Sequence, residues 1–128
     1  MTDENKHTVL IVDDDPFISD LLTRKFSDSG FITRHAHDGN DALKQLEAGP
    51  LPQVVLLDIM MPNVDGFEVL KKMKEDHRFS SIPVGVLSNS GNEADIDKAK
   101  SLGALFYMLK IDAPLEEIVA KVKSAAIS

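Results

Sequence analysis

The stretch Gln53-Val54-Val55-Leu56-Leu57-Asp58-Ile59-Met60-Met61-Pro62-Asn63-Val64-Asp65-Gly66-Phe67 decides how this chain folds. Val54 to Leu57 form a continuous apolar run, rich in valine and too short for a buried helix, which predicts a strand covered on both faces. Asp58 ends that strand, and Asn63-Val64-Asp65-Gly66 reads as a turn. In open parallel sheets the reactive groups lie just beyond the carboxyl ends of the strands, so a carboxylate here is placed to react rather than to pack.

Working outward, Thr8 to Val12 is a second run of the same buried type, and it ends in Asp13-Asp14-Asp15-Pro16. Asp caps helices and Pro favours their first position, so Asp15-Pro16 starts a helix and leaves Asp13 and Asp14 unexplained by capping. That helix places Phe17, Ile18, Leu21, Leu22 and Phe26 on one face and stops at Ser27-Asp28-Ser29-Gly30. Phe31 to Ala36 is a weaker strand, interrupted by Arg34 and His35. Asp38-Gly39-Asn40 turns into a helix marked by Ala42, Leu43 and Leu46, which Gly49-Pro50 ends. A third helix starts at Asp65-Gly66 and carries Phe67, Leu70 and Met73. Ile82 to Leu87 is the fourth strand, closed by Ser88-Asn89-Ser90-Gly91, and a helix with Ile96, Ala99 and Leu102 inward follows it to Gly103. Leu105 to Leu109 is the fifth strand, ending in Lys110, and Leu115, Ile118, Val119, Val122 and Ala126 define the last helix, with Pro114 near its first turn.

Five strands alternating with five helices predict a single α/β domain: a doubly wound parallel five-stranded sheet with right-handed crossovers. The second strand is the least apolar and belongs at an edge, in keeping with order 2-1-3-4-5 and a switch point between the first and third strands. Their carboxyl ends carry Asp13, Asp14 and Asp58. The 128 residues suffice for one core, with residues 1–7 as a polar leader and 8–128 as the domain. The absence of cysteine and of any apolar segment near membrane-spanning length predicts a soluble, cytoplasmic chain without membrane contact. A net charge of −7 argues against direct nucleic-acid binding and suits a basic partner or a divalent cation.

Three carboxylates in one crevice repel one another unless a cation sits among them. Magnesium takes oxygen ligands, is commonly held by one or two carboxylates plus a phosphate, and fits this set better than calcium, which wants more ligands. Ser88 and Lys110 end the fourth and fifth strands on the same rim, and a hydroxyl and an ammonium beside a metal-bound carboxylate are what a phosphoryl group needs. The chemistry that follows is an aspartate nucleophile that becomes an acyl phosphate.

From Val9 to about Ala126 the chain resembles the response-regulator receiver domains of bacterial two-component signalling, and in length and layout their stand-alone chemotaxis members. The resemblance rests on Val12-Asp13-Asp14, on Leu57-Asp58-Ile59-Met60-Met61-Pro62 with Asp65-Gly66, on Ser88, and on Gly103-Ala104 leading to Tyr107 and Lys110. It implies a flavodoxin-like fold and a regulatory phosphoacceptor rather than an enzyme. Asp58 would take phosphate from a histidine kinase or a histidine phosphotransfer protein. Asp13, Asp14 and Asp58 would hold magnesium with the Met60 backbone carbonyl, Lys110 would pair with a phosphoryl oxygen, and Ser88 would swing toward the phosphate while Tyr107 turns inward. The face of the fourth helix, fifth strand and fifth helix would meet a downstream output protein or domain, and self-association through it is left open.

Two residues depart from the family pattern. Ile111 follows Lys110 where the family usually has proline, which predicts a trans bond there. Asn89 follows Ser88 where the family usually has a small residue, which predicts narrowed access for attacking water and a longer-lived phosphoaspartate. His35, His37 and His77 show no metal-ligand spacing and read as surface residues, and Met60 and Met61 as packing or loop residues. A flavodoxin is disfavoured by Asp13-Asp14-Asp15, which would repel a flavin phosphate, and a haloacid-dehalogenase phosphatase by Met60, which stands where its second aspartate belongs. The remaining alternative is a receiver fold that binds partners without phosphorylation.

Overall fold

A computed structural model describes residues 7–61 and 64–126, so the leader (apart from His7), Pro62, Asn63 and the last two residues of the expected domain, Ile127 and Ser128, lie outside the described residues. In chain order it runs β1 (Thr8–Val12), α1 (Pro16–Asp28), β2 (Ile32–Ala36), α2 (Gly39–Ala48), β3 (Val54–Leu57), α3 (Gly66–Glu75), β4 (Val84–Ser88), α4 (Glu93–Ser101), β5 (Phe106–Leu109) and α5 (Leu115–Ala126). The strands form one parallel sheet in the order β2-β1-β3-β4-β5, with β3 at its centre. All four β3 residues are buried, because each face of the sheet is covered.

Side-chain alternation along the strands splits the core into two layers. Leu10, Val12, Val55, Leu57, Val84 and Val86 face Ala42, Leu46, Leu70, Met73 and Ala99 of α2, α3 and α4. Val9, Ile11, Val54, Leu56 and Leu87 face Leu22, Phe26, Ile118 and Val122 of α1 and α5. Helix starts follow from side-chain caps: Asp15, Asp38, Asp65 and Asn92 accept hydrogen bonds from the backbone N–H groups of Phe17, Asp41, Glu68 and Ala94.

The inward face of α1 differs from the one expected. Phe17 is 68% and Leu21 37% exposed, whereas Ser19, Leu22 and Phe26 are buried. Ser19 lies among them because its hydroxyl donates to the Asp15 carbonyl and meets His35 of β2, so a polar residue occupies the inner stripe. Strand boundaries also shift. Phe31 precedes β2 and packs edge-on against Phe26 at 5.2 Å, Ile82 lies in the turn before β4, and Leu105 stands exposed before β5. On α4 only Ala99 is fully buried, with Ile96 and Leu102 half-buried, and on α5 Ala125 takes the buried place expected of Ala126.

Two glycines let α2 and α3 press against the segment after β3. A Cβ on Gly66 would collide with the backbone of Asp58 and Ile59, and one on Gly39 with the Val64 carbonyl. Gly66 also donates its N–H to the Ile59 carbonyl at 3.2 Å, fixing the start of α3 beneath Asp58.

At the opposite end of these helices, Arg78 grips both carboxylate oxygens of Glu47 at 2.7 Å, binds Asp76 at 3.0 and 2.6 Å, and lies 4.7 Å over the Phe79 ring. The bonds from the Arg78 side chain and backbone hold the Asp76 carboxyl down at about 2. A depressed folded-state pKa lends stability above the ordinary carboxylate range that is lost as pH falls through about 2. In an NMR titration of Arg78→Ala we expect the Asp76 midpoint to rise but stay below the ordinary range, because the backbone N–H of residue 78 still donates to it.

Candidate functional site

The sheet ladder continues one residue past its strands, and this places the polar groups. Asp13 N–H donates to the Ala36 carbonyl at 3.0 Å, Asp58 N–H to Val12 at 2.9 Å, and Lys110 N–H to Ser88 at 2.8 Å. Asp13, Asp58 and Lys110 therefore share one rim at the carboxyl ends of β1, β3 and β5. Asp13 is 2% and Asp58 4% exposed, and Asp14 stands in solvent beside them. Carboxylate oxygens of Asp13, Asp14 and Asp58 all lie within 4.8 Å of one another.

Lys110 is the counter-charge. Its Nζ lies 2.7 Å from Asp13 Oδ2 and 3.0 Å from Asp58 Oδ2. The other oxygens are held by backbone donors: Asp15 N–H donates to Asp13 Oδ1 at 2.9 Å and Met60 N–H to Asp58 Oδ1 at 3.1 Å. Burial raises the Asp58 pKa above the ordinary carboxylate range, and the bonds from Lys110 and Met60 pull against that rise without cancelling it. Burial also works against the Lys110 charge, but its bonds to Asp13 and Asp58 and their charges prevail and raise its pKa. The lysine is thus a firm cation, although Ile111 beside it is 83% exposed and the bond between them is not cis.

Ser88 is fully buried at the end of β4, and its hydroxyl accepts from Ser90 N–H at 3.2 Å instead of joining the acids. Tyr107 is half-buried and donates from its hydroxyl to the Ser90 carbonyl at 2.7 Å. Ser90 links the two, and its own hydroxyl donates to Asp95 on α4 at 2.6 Å. Met60 is exposed, and its backbone N–H is the group that bonds Asp58.

The donor set fits a hard divalent ion. It is all oxygen, carries more negative charge than Lys110 balances, and leaves Asp14 on an open side where water or a phosphate oxygen can complete the shell. His35 is exposed, as expected of a surface residue, but its contacts in this region have no counterpart in the sequence reading. Its ring lies 2.9 Å from both the Asp13 carbonyl and Ser19 Oγ, a contact that parallel pairing of Ile11 with His35 brings about and that no spacing within one segment reveals.

Removing the shared cation leaves two buried carboxylates facing each other. In urea unfolding without divalent ions at neutral pH, we expect Lys110→Met to lower stability by about 3–5 kcal/mol.

The comparisons with known proteins agree with this geometry. The family described as "Response regulator receiver domain" matches residues 9–123. Regulatory protein VanRc of Enterococcus gallinarum is 35% identical over 116 residues, covering 91% of this chain and 48% of that protein. The phosphorylated cyanobacterial phytochrome response regulator RcpA superposes with a TM-score of 0.82 at 30% identity, over 93% of this chain and 90% of that one. The Mn(2+)-bound form of response regulator Rcp1 gives 0.79 at 29% identity, over 92% and 90%. The chain spans about half the length of the first curated relatives it matches. No helix among the described residues is long and apolar enough to cross a membrane. The matched length, the sheet order and the acidic rim lead to one conclusion: this chain belongs to the response regulator receiver domain family.

Proposed function

We propose that Asp58 is the phosphoacceptor of a two-component relay, taking its phosphoryl group from the phosphohistidine of a histidine kinase or phosphotransfer protein. The observation that carries this reading is a buried carboxylate with a raised pKa, hydrogen-bonded to a lysine that it shares with a second acid. An oxygen of Asp58 attacks phosphorus, the P–N bond to the donor histidine breaks, and the departing imidazole keeps the electron pair and takes up a proton. Asp13, Asp14, Asp58 and the Met60 carbonyl would hold magnesium, which supplies charge neutralisation at the phosphoryl oxygens. Lys110 offers its ammonium to the same oxygens. The relatives solved phosphorylated and with Mn(2+) support the reading.

Ser88 and Tyr107 form the switch in this proposal. A Ser88 hydroxyl that turns to a phosphoryl oxygen gives up the Ser90 N–H, and Ser90 carries the carbonyl that Tyr107 holds. Movement then reaches the face of α4, β5 and α5, which would meet an output partner or a second copy. The domain, placed at 8–128, would work in the cytoplasm as a regulatory phosphoacceptor, without touching nucleic acid or membrane.

Acetyl phosphate with magnesium, followed by intact mass, tests the chemistry. We expect one phosphoryl group on the wild type and none on Asp58→Asn. A wild type that binds magnesium yet gains no mass would instead leave a binding module that works without phosphate. Asn89 is exposed beside Ser88, where its side chain can screen the acyl phosphate from water. We expect Asn89→Ala to lose phosphate a few-fold faster by radiolabel decay, and an unchanged or slower rate would refute the screening role.

A further inference from the structure

We propose that His35 is a positioning residue for the acidic turn after β1, setting the magnesium affinity of Asp13 and Asp14 without touching the ion. The inference rests on the metal reading above and extends it to a residue that is neither acidic nor part of the rim.

The two peptides that flank the Asp13 Cα are each held by β2. The Asp13 N–H donates to the Ala36 backbone carbonyl, a bond that any residue at 36 could accept. The Asp13 C=O lies 2.9 Å from His35 Nε2, a bond that only the side chain at 35 provides. A carbonyl can only accept, so Nε2 carries the hydrogen. Ser19 is consistent with that assignment: its hydroxyl donates to the Asp15 carbonyl at 3.0 Å, which leaves its oxygen free to accept from the same Nε2 at 2.9 Å.

His35 is itself fixed. Its backbone pairs with β1 opposite Ile11, and its carbonyl accepts from Gln45 Nε2 on α2 at 2.8 Å. The imidazole thus ties β2, the first turn of α1 and the Asp13 carbonyl together at one atom.

The Asp13 carbonyl and the Asp14 N–H belong to one planar peptide unit. Holding the carbonyl sets the direction in which the chain leaves toward Asp14, the exposed member of the acidic set. Groups hydrogen-bonded to metal ligands themselves commonly change affinity by about 10–100-fold when removed, and His35 acts one step back from them, through the Asp13 backbone, which puts it at the low end of that range. A glutamine amide nitrogen lies as far along its side chain as the imidazole Nε2, so Gln restores the donor where Ala does not.

Calorimetric titration with magnesium chloride of the wild type, His35→Ala, His35→Gln and Asp14→Asn, each with a thermal melt, tests the proposal. We expect the dissociation constant of His35→Ala to rise on the order of tenfold and that of His35→Gln to stay close to wild type. Wild-type binding with His35→Ala unchanged or tighter, or with His35→Gln no better than Ala, overturns the positioning role and leaves the metal reading standing. A wild type that takes no magnesium, or an Asp14→Asn that binds as tightly as wild type, overturns the metal reading and this inference with it. A change in melting temperature without a change in magnesium affinity marks His35 as merely structural and also overturns the proposal.

Discussion

Everything at the rim depends on one ammonium shared by two buried carboxylates. Asp13 and Asp58 are almost completely removed from water, and two such charges would hardly coexist without a cation between them. Lys110 provides it from β5, the far edge of the sheet, while the acids come from β1 and the central β3. The strand order is what brings the three groups together. Exchanging neighbours in the sheet would separate charge from counter-charge, so topology and electrostatics constrain each other.

The surrounding structure spends its small residues and its caps on the same task. Gly66 and Gly39 allow the starts of α3 and α2 to touch the backbone that follows β3, Gly66 against Asp58 and Ile59 and Gly39 against Val64. Backbone N–H groups of Asp15 and Met60 fix the second oxygen of each acid, so neither carboxylate turns freely about its own axis. The two core layers matter here as supports, since they hold the strand ends level without contributing a reacting group.

Much of this was legible in the residues. Uninterrupted apolar runs marked β1, β3 and β4, and the acids that follow β1 and β3 meet Lys110 of the β5 end at the rim, while Ser88 at the end of β4 bonds Ser90 instead. On α1 the expected Ile18, Leu22 and Phe26 pack inward, but Phe17 and Leu21 do not and Ser19 does, through hydrogen bonds to Asp15 and His35, because periodicity registers hydrophobicity rather than satisfied polarity. His35 was passed over for a related reason. Its partner is a backbone carbonyl just past the end of a neighbouring strand, and backbone acceptors have no signature in side-chain identity. The link from Ser88 through Ser90 to Tyr107 likewise runs through main-chain atoms.

The continuation of the ladder past the strand ends has a consequence for how such a sequence can vary. Asp13, Asp58 and Lys110 each owe their place to a backbone bond with a neighbouring strand, so their aim is inherited from pairing register. One residue inserted within β3 would turn the Asp58 carboxylate to the opposite layer of the sheet. The same insertion in the segment before β3, at Pro50 to Gln53, would be absorbed at the far end of the molecule. Added length is therefore tolerated before a strand at the pole away from the acids, whereas the strands that aim the acids must keep their count.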